Sequence, residues 1–291
     1  MHSRKQAGRI FLLPGVIWVL CFTIFPLLYS LVLSFTNRRI GRGERPTNFI
    51  GLDNYVQVFN DQRVQEVLGT TVFLIVGSVL LTLTLGTLIA WLFSQQIPGL
   101  NVFRAVLTMP LFAAPIALGH LGMILFNEQS GPINHMLRGL GAEPVYWITN
   151  PWSARFAVLI VDVWQWTPFV FIVVLAAMQS VPDELYEAIR LDTSSAWTIF
   201  SKITLPLIAP ALGTVGMLRL VETFKILDIP FTLTGGGPGT STQTYSYYTY
   251  LTGLRHFNMG YASALAYLLV IAAIIIATIY FWRMRERYNV E

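Results

Sequence analysis

The chain has 291 residues, of which 54% are hydrophobic and 12% charged, and its formal net charge is +4. A soluble domain carries about 25% charged residues, so this chain has too few charged groups to cover a globule of its size in water. The same composition excludes a disordered chain and a coiled coil, and the small, scattered net charge does not indicate a nucleic-acid surface. The composition predicts an integral membrane protein.

Six stretches are long and apolar enough to be membrane spans, since a helix needs about 20 apolar residues to cross a hydrocarbon core. The predicted fold is an all-α integral membrane domain over residues 1–291, with spans at about 10–36, 70–93, 105–127, 154–177, 203–226 and 257–282. Pro110 and Pro115 interrupt the third span. The first span follows basic residues as a signal peptide would, but it is about twice the usual length and lacks a cleavage site, so we expect it to be retained.

The distribution of arginine and lysine bears on orientation. Six spans place both termini on one side, and two basic clusters indicate that this side is the cytoplasm. These clusters are Arg4, Lys5 and Arg9 at the N-terminus, and Arg283, Arg285 and Arg287 at the C-terminus. Arg38, Arg39, Arg42 and Arg45 follow the first span and favour the opposite orientation.

The segment between the fourth and fifth spans, residues 179–206, predicts two short helices joined by a break. We expect Ser180 to cap the first helix, with Pro182 at its first position. Its apolar residues share one face at helical spacing, and these are Leu185, Ala188 and Ile189. Such a helix is suited to docking into a groove of another protein. A plain interfacial linker helix is the alternative on this pattern.

Motifs in this segment resemble the coupling loop of ATP-binding cassette (ABC) importer permeases. They are Glu187-Ala188, Asp192, and residues 203–206 (Ile-Thr-Leu-Pro). Other segments look like the carbohydrate-uptake branch, and the N-terminal ones look like the first of its two permeases. These segments are residues 11–14, Pro26, 34–36, 51–55, Gly131 with Ile133, Asn134 and Leu137, 233–238 with Thr242, and 260–262. The resemblance covers nearly the whole chain.

Two positions depart from the family pattern. Thr193 stands where the loop usually has glycine, and Ile189 stands at the second alanine of the usual Glu-Ala-Ala. A β-branched residue disfavours the positive φ that glycine adopts with ease. We therefore expect the break between the two helices to be built another way, for example with Asp192 as the cap of the second helix.

The resemblance implies a type I ABC importer permease fold that forms half of the pathway for a sugar or sugar derivative. It implies that the coupling loop contacts a cytoplasmic ATPase dimer through Leu185, Glu187, Ala188, Asp192, Leu205 and Pro206. The other implied partners are a second, homologous permease, an extracytoplasmic solute-binding protein and membrane lipid. ATP and magnesium would lie on the ATPase, and no cofactor on this chain. The chain would sit in a bacterial or archaeal plasma membrane, with cytoplasmic termini.

The sequence contains no motif of an enzyme active site. It has no phosphate-binding loop of the GxxxxGK[ST] type and no GxSxG nucleophile elbow. The glycine-rich residues 235–239 are not followed by lysine, so they predict a turn-rich outer loop. The histidines His2, His120, His135 and His256 lack metal-ligand spacing. We predict neither catalytic residues nor a metal site.

Ionisable residues within spans are costly and usually face a cavity or a partner. Asp162, Arg219 and Glu222 are such residues, and Lys225 and Asp228 are expected nearer the outer surface. Planar polar groups bind sugar hydroxyls and aromatic rings cover sugar faces. The predicted substrate-lining residues are therefore Asp162, Gln165, Trp166, Trp164, Arg219 and Glu222.

Other interpretations of these residues stay open. Arg219 and Glu222 could neutralise each other, and the tryptophans could serve packing alone. An unpaired Arg219 could instead meet an anionic substituent of the substrate. The alternative function is a stand-alone, ATP-independent carrier or channel, which predicts internal repeats that this sequence does not display.

Overall fold

The computed structural model describes residues 12–41, 46–94 and 100–288. The predictions that rest on Arg4, Lys5, Arg9, Arg42 and Arg45 lie outside the described residues. Within those ranges the regular elements are helices, and pairing of extended backbone is limited to two isolated bridges. The helices are α1 Leu12–Ser34, α2 Asp53–Asn60, α3 Gln62–Ser94, α4 Leu100–Thr108, α5 Pro115–Leu125, α6 Pro132–Gly139, α7 Pro151–Gln179, α8 Asp183–Asp192, α9 Ala196–Thr223, α10 Asp228–Leu233, α11 Tyr245–Tyr250 and α12 Met259–Tyr288.

Among the described residues, five helices are long and apolar enough to cross a membrane, namely α1, α3, α7, α9 and α12. The third predicted span is bent at the prolines that interrupt it. It consists of two pieces, Val102–Phe112 and Pro115–Leu125, that meet at 102°. Ala114 is extended at the bend (ψ 136°), because the ring of Pro115 disfavours helical backbone at the residue before it.

The chain divides into two compact units. The first consists of Met1–Val64 and Tyr248–Ile271, and the second of Gln65–Tyr247 and Ala272–Glu291. The assignment of the whole chain to a single domain stays a prediction.

In the first unit, three of the short motifs form one joint at the end of α1. The Asn54 amide Nδ2 donates to the carbonyls of Ser34 (2.8 Å) and Thr36 (2.9 Å). These acceptors lie at the end of a helix, where carbonyls lack intrahelical partners. Tyr55 Oη lies 2.7 Å from Ser34 Oγ. At Gly260 an added Cβ would lie 2.0 Å from the Thr36 carbonyl oxygen, so only glycine fits there.

Asp61, between α2 and α3, ties two tyrosines of the first unit together. Its Oδ2 accepts hydrogen bonds from the hydroxyls of Tyr248 (2.8 Å) and Tyr261 (2.7 Å). Partial burial acts to raise the pKa of Asp61. The hydrogen bonds from these tyrosines and from the amides of Arg63 and Val64 outweigh burial, and the pKa lies below its usual value of 3.8. Burial and the Asp61 carboxylate together raise the pKa of Tyr248 to about 12.

In the second unit, α7 is the central helix. In an apolar 18-residue stretch of α7, 67% of the residues are buried, against 28% in the corresponding stretches of α3 and α9. A Cβ added at Gly86 on α3 would lie 2.6 Å from the Val170 side chain on α7, so glycine permits the two helices to approach closely.

A buried ion pair joins α7 to α9. The Arg219 guanidinium Nη2 donates to Asp162 Oδ2 and to Ser78 Oγ on α3, and Ser78 in turn donates to Asp162. Arg219 and Asp162 are each 1% exposed. The ring centroid of Trp166 lies 4.9 Å from the Arg219 Cζ, within the range of a cation–π contact. The pair therefore fixes three helices at one level.

We predict that Asp61→Asn destabilises the protein at neutral pH by about 1 kcal/mol, because a charged acceptor is lost at a partly solvated site. The folded pKa of Asp61 is depressed, so its contribution is present above pH 3.8 and is lost as the pH falls through the folded pKa. Chemical unfolding in detergent should show a gap between variant and wild type at pH 7 that narrows toward pH 3. A gap that is independent of pH, or a loss equal to that of Asp53→Asn, would contradict the prediction.

We predict that Arg219→Met and Asp162→Leu each destabilise the protein by about 3 to 5 kcal/mol, because each leaves one charge buried without its partner. The double variant removes both charges, and we expect it to be more stable than either single variant. Thermal unfolding of the detergent-purified protein measures all three. Additive losses in the double variant would show that the two side chains act independently.

Candidate functional site

Helix α8 occupies the segment that was predicted to be the first coupling helix. It begins after Pro182, whose backbone is extended (φ −60°, ψ 136°), and no side chain caps it. The prediction that Ser180 caps this helix was wrong. Ser180 instead ends α7, and its Oγ donates to the Ala177 carbonyl at 2.8 Å.

The break after α8 needs no positive φ. Thr193 is extended, with φ −153° and ψ 141°, a conformation that a β-branched residue adopts readily. The next helix is capped by Ser195, whose Oγ accepts from the Thr198 amide at 3.3 Å. Asp192 is the last residue of α8, so its suggested role as the second cap was wrong. A serine three positions further along meets the same need.

Helix α8 lies on the surface of the chain. None of its residues is buried, and Leu185 and Leu191 are 41% and 91% exposed. The six residues predicted to couple to an ATPase are all exposed, and they are Leu185, Glu187, Ala188, Asp192, Leu205 and Pro206. The Tyr186 hydroxyl lies 3.2 Å from Thr204 Oγ1, which links α8 to the N-terminal part of α9.

A cavity of about 230 Å³ lies in the second unit, between α7 and the turn that joins α9 to α10. Its polar and aromatic lining consists of Asp162, Gln165, Trp166, Glu222, Lys225 and Asp228. The structure thus brings together four of the predicted substrate-lining residues. Arg219 does not line the cavity, because it is buried beside Trp166.

The hydrogen bonds around the cavity leave one buried acceptor open. Gln165 is 4% exposed, and its Nε2 donates to the Ala113 carbonyl at 3.3 Å. Its Oε1 has no hydrogen-bond partner. A buried acceptor without a partner is destabilising, and a ligand hydroxyl that entered the cavity could satisfy it.

The charged side chains form other pairs than the Arg219–Glu222 pair that the sequence suggested. Arg219 pairs with Asp162, and Glu222 Oε1 accepts from Lys225 Nζ at 2.8 Å. The suggestion that Arg219 and Glu222 neutralise each other was wrong. Residues three apart on one helix are near neighbours, but the contact across helices provides the buried guanidinium with the closer carboxylate.

The two predicted tryptophans face different surroundings. Trp166 lines the polar cavity, whereas Trp164 is 46% exposed and lines an apolar groove of about 930 Å³ with Phe156 and Phe171. Residues two apart on a helix point about 200° apart, so one helix cannot present both rings to the same cavity.

Three residues lie near the site without having been predicted as site residues. Ser78 completes the ion-pair cluster, yet a serine in an apolar run is too common to signal such a role. Lys225 and Asp228 were expected near the outer surface, and they line the cavity. Their nearness in sequence to Glu222 was the available signal.

The glycine-rich segment after α10 forms turns, as expected. Gly236 has a φ of 85°, and an added Cβ there would lie 2.7 Å from the side chains of Gln243 and Tyr247. The buried Thr242 hydroxyl donates to the Gly237 carbonyl at 3.0 Å. Among the described residues there is no group of three or more histidine, cysteine, aspartate or glutamate side chains that could hold a metal ion.

Comparison with known proteins supports the resemblance seen in the motifs. The profile of the family described as "Binding-protein-dependent transport system inner membrane component" matches residues 10–285. The trehalose/maltose transport system permease protein MalF of Thermococcus litoralis is 33% identical over 259 residues, which cover 89% of this chain and 86% of that protein. The sulfoquinovosyl glycerol transport system permease protein SmoG of Agrobacterium fabrum is 30% identical over 283 residues, covering 96% and 90%.

A solved structure shares the fold. It is a chain of the bacterial alginate ABC transporter in complex with alginate pentasaccharide-bound periplasmic protein, with a TM-score of 0.86 and 23% identity over 99% of this chain and 96% of that one. The predicted family and fold class are both confirmed. The chain belongs to the binding-protein-dependent transport system inner membrane component family and is a multi-pass permease subunit of an ABC importer.

Proposed function

We propose that this permease forms half of the membrane pathway for a sugar or sugar derivative. The observation that carries the proposal is the cavity between α7 and the α9–α10 turn, which is lined by Gln165, with its open acceptor, and by Trp166. A sugar offers hydroxyl donors, which suit the Gln165 acceptor, and apolar ring faces, which suit the Trp166 ring. The relatives named for trehalose/maltose and sulfoquinovosyl glycerol transport support the same class of substrate.

The six residues predicted to line the substrate path have different proposed roles. Gln165 Oε1 and the Glu222 carboxylate accept hydrogen bonds from sugar hydroxyls, and Trp166 stacks on a ring face. Asp162 and Arg219 hold α7 and α9 in register, so that these groups converge. Trp164, which lies in the apolar groove, is not assigned to the substrate.

We further propose that α8 docks into a cytoplasmic ATPase, which binds and hydrolyses ATP with magnesium, whereas this chain binds no cofactor. Glu187, Ala188, Asp192 and Leu185 would form the contact on α8, and Leu205 and Pro206 the contact on the N-terminal part of α9. A short exposed helix with apolar and acidic groups suits such a groove. In this arrangement both termini are cytoplasmic, a second permease completes the pathway, and an extracytoplasmic binding protein delivers the substrate.

Transport would follow from a shift between two packings of the helices. Helix α8 lies in the chain between α7 and α9, and both of these carry cavity residues. A movement of α8 driven by the ATPase would therefore reach the cavity through the two helices that build it. Membrane lipid would surround the moving helices.

The proposal is tested by purifying the tagged chain from its native membrane in mild detergent. We expect an ATPase and a second permease in the complex, and uptake of a saccharide when the complex is reconstituted with its binding protein. A chain that purifies alone and transports a solute without ATP would contradict the proposal and favour a stand-alone carrier.

We predict that Trp166→Ala raises the KM for saccharide uptake about tenfold, because the aromatic face is lost, and that Trp166→Phe retains most of the affinity. Trp164→Ala is the matched control, since its ring lies in the apolar groove, and it should change the KM less than twofold. Equal effects of Trp164→Ala and Trp166→Ala on uptake would argue against this cavity as the sugar site.

We predict that Glu187→Ala lowers saccharide-stimulated ATP hydrolysis and uptake at least tenfold while the complex still inserts, because the carboxylate anchors α8 by charged hydrogen bonds. Glu143→Ala, which removes an exposed carboxylate elsewhere, should leave both activities unchanged. Normal stimulation of the ATPase in Glu187→Ala would rule out this anchoring role.

A further inference from the structure

One carboxylate of the cavity in the second unit forms no ion pair with any cation among the described residues. Asp162 is paired with Arg219, and Glu222 with Lys225. Asp228 lines the same cavity and is half-buried. In the part of the chain that the structure describes, its carboxylate makes no ion pair, and its hydrogen bond within α10 involves only the backbone carbonyl. The lining, taken together with the Arg219 that pairs with Asp162 behind it, therefore has an excess of one negative charge.

The buried atom of the cavity lining that lacks a hydrogen-bond partner is an acceptor. The Gln165 amide nitrogen is already bound to Ala113, and the unpartnered atom is Oε1. Arg219 Nε and Nη1 also lack partners, but Arg219 is 1% exposed, is packed beside Trp166 and is absent from the lining. The one cationic lining group, Lys225, is bound to Glu222. The lining thus offers the buried Gln165 oxygen and the unpaired Asp228 carboxylate as acceptors to a ligand that brings donors.

We propose that this site selects uncharged saccharides and disfavours anionic ones, with Asp228 as the residue that sets the preference. The inference rests on the proposed function and specifies the substrate class. A hydroxyl donates to Gln165 Oε1 and to the Asp228 carboxylate, whereas a ligand carboxylate, sulfonate or phosphate has no hydrogen to donate when it is ionised. Repulsion between two unit charges a few ångströms apart near a protein surface is sufficient for a preference of about tenfold or more.

This assignment leaves Arg219 as a positioning residue. Its charge is neutralised by Asp162, and the Trp166 ring lies against its guanidinium. An anionic substituent would have to displace both to reach it. The preference against anions therefore follows from Asp228, whose carboxylate is unpaired among the described residues, and not from the number of charged residues in the membrane span.

The test uses the purified complex of this chain with its permease and ATPase partners, without the binding protein, so that the selectivity of the binding protein does not enter. Equilibrium binding is measured for two matched pairs of probes, maltose with maltobionate and lactose with lactobionate, in which each acid retains most of the parent skeleton. For whichever pair binds, we expect the neutral saccharide to bind at least about tenfold more tightly than its acid. The preference should shrink as salt is added.

Variants of Asp228 decide the cause. Asp228→Asn retains the shape and removes the charge, so the preference should fall severalfold, and Asp228→Lys should reverse it. Glu143→Gln removes an exposed carboxylate outside the cavity and should leave the preference as in wild type. Equal binding of neutral and acidic probes, or an unchanged preference in Asp228→Lys, overturns the inference. If none of the four probes binds, the inference also fails, and uptake of a saccharide delivered by the binding protein then decides whether the proposed function fails with it.

Discussion

The buried ion pair of Arg219 and Asp162 is the constraint on which the second unit depends. A guanidinium inside an apolar helix bundle is tolerated only beside a counter-charge, and Asp162 supplies it with the help of Ser78. Because the three residues lie on α9, α7 and α3, the pair aligns these helices at one depth. Gln165 and Trp166 follow Asp162 within about one turn of α7, so the alignment also places the cavity.

The sequence was sufficient for the membrane class, for the six apolar segments and for the family. The length of the apolar segments and the order of short motifs carry this information, and both can be read from the sequence without knowledge of tertiary contacts. The joint around Asn54 explains why individually weak motifs are informative together, since residues far apart in the chain meet at the end of α1. The pairing of Arg219 could not be read from spacing, because Glu222 is its neighbour on the helix and Asp162 meets it only when α7 and α9 pack.

The segment between α7 and α9 shows that the backbone of a loop cannot be predicted from the family's usual residues alone. Thr193 in place of glycine suggests a changed break, yet an extended backbone at this position joins the two helices with no strained torsion. The cap is then supplied by Ser195. Serine, threonine and aspartate are all good caps, so their clustering between 192 and 195 predicts that a helix begins nearby but not which side chain begins it.

The bend of the third apolar segment links the shape of the membrane helices to the hydrogen bonding of the cavity lining. The carbonyl of Ala113 is free to accept the amide of Gln165 because the helix is interrupted there. A movement that straightened or displaced the bend would withdraw this acceptor and release the amide to rotate, so that nitrogen and oxygen could exchange places. The same residue would then present a donor where it had presented an acceptor, and a bound solute would lose its hydrogen bond at the moment the helix moved. In such a device, release of the solute needs no second binding site, because the hydrogen-bond polarity of the first is set by the conformation of its neighbour.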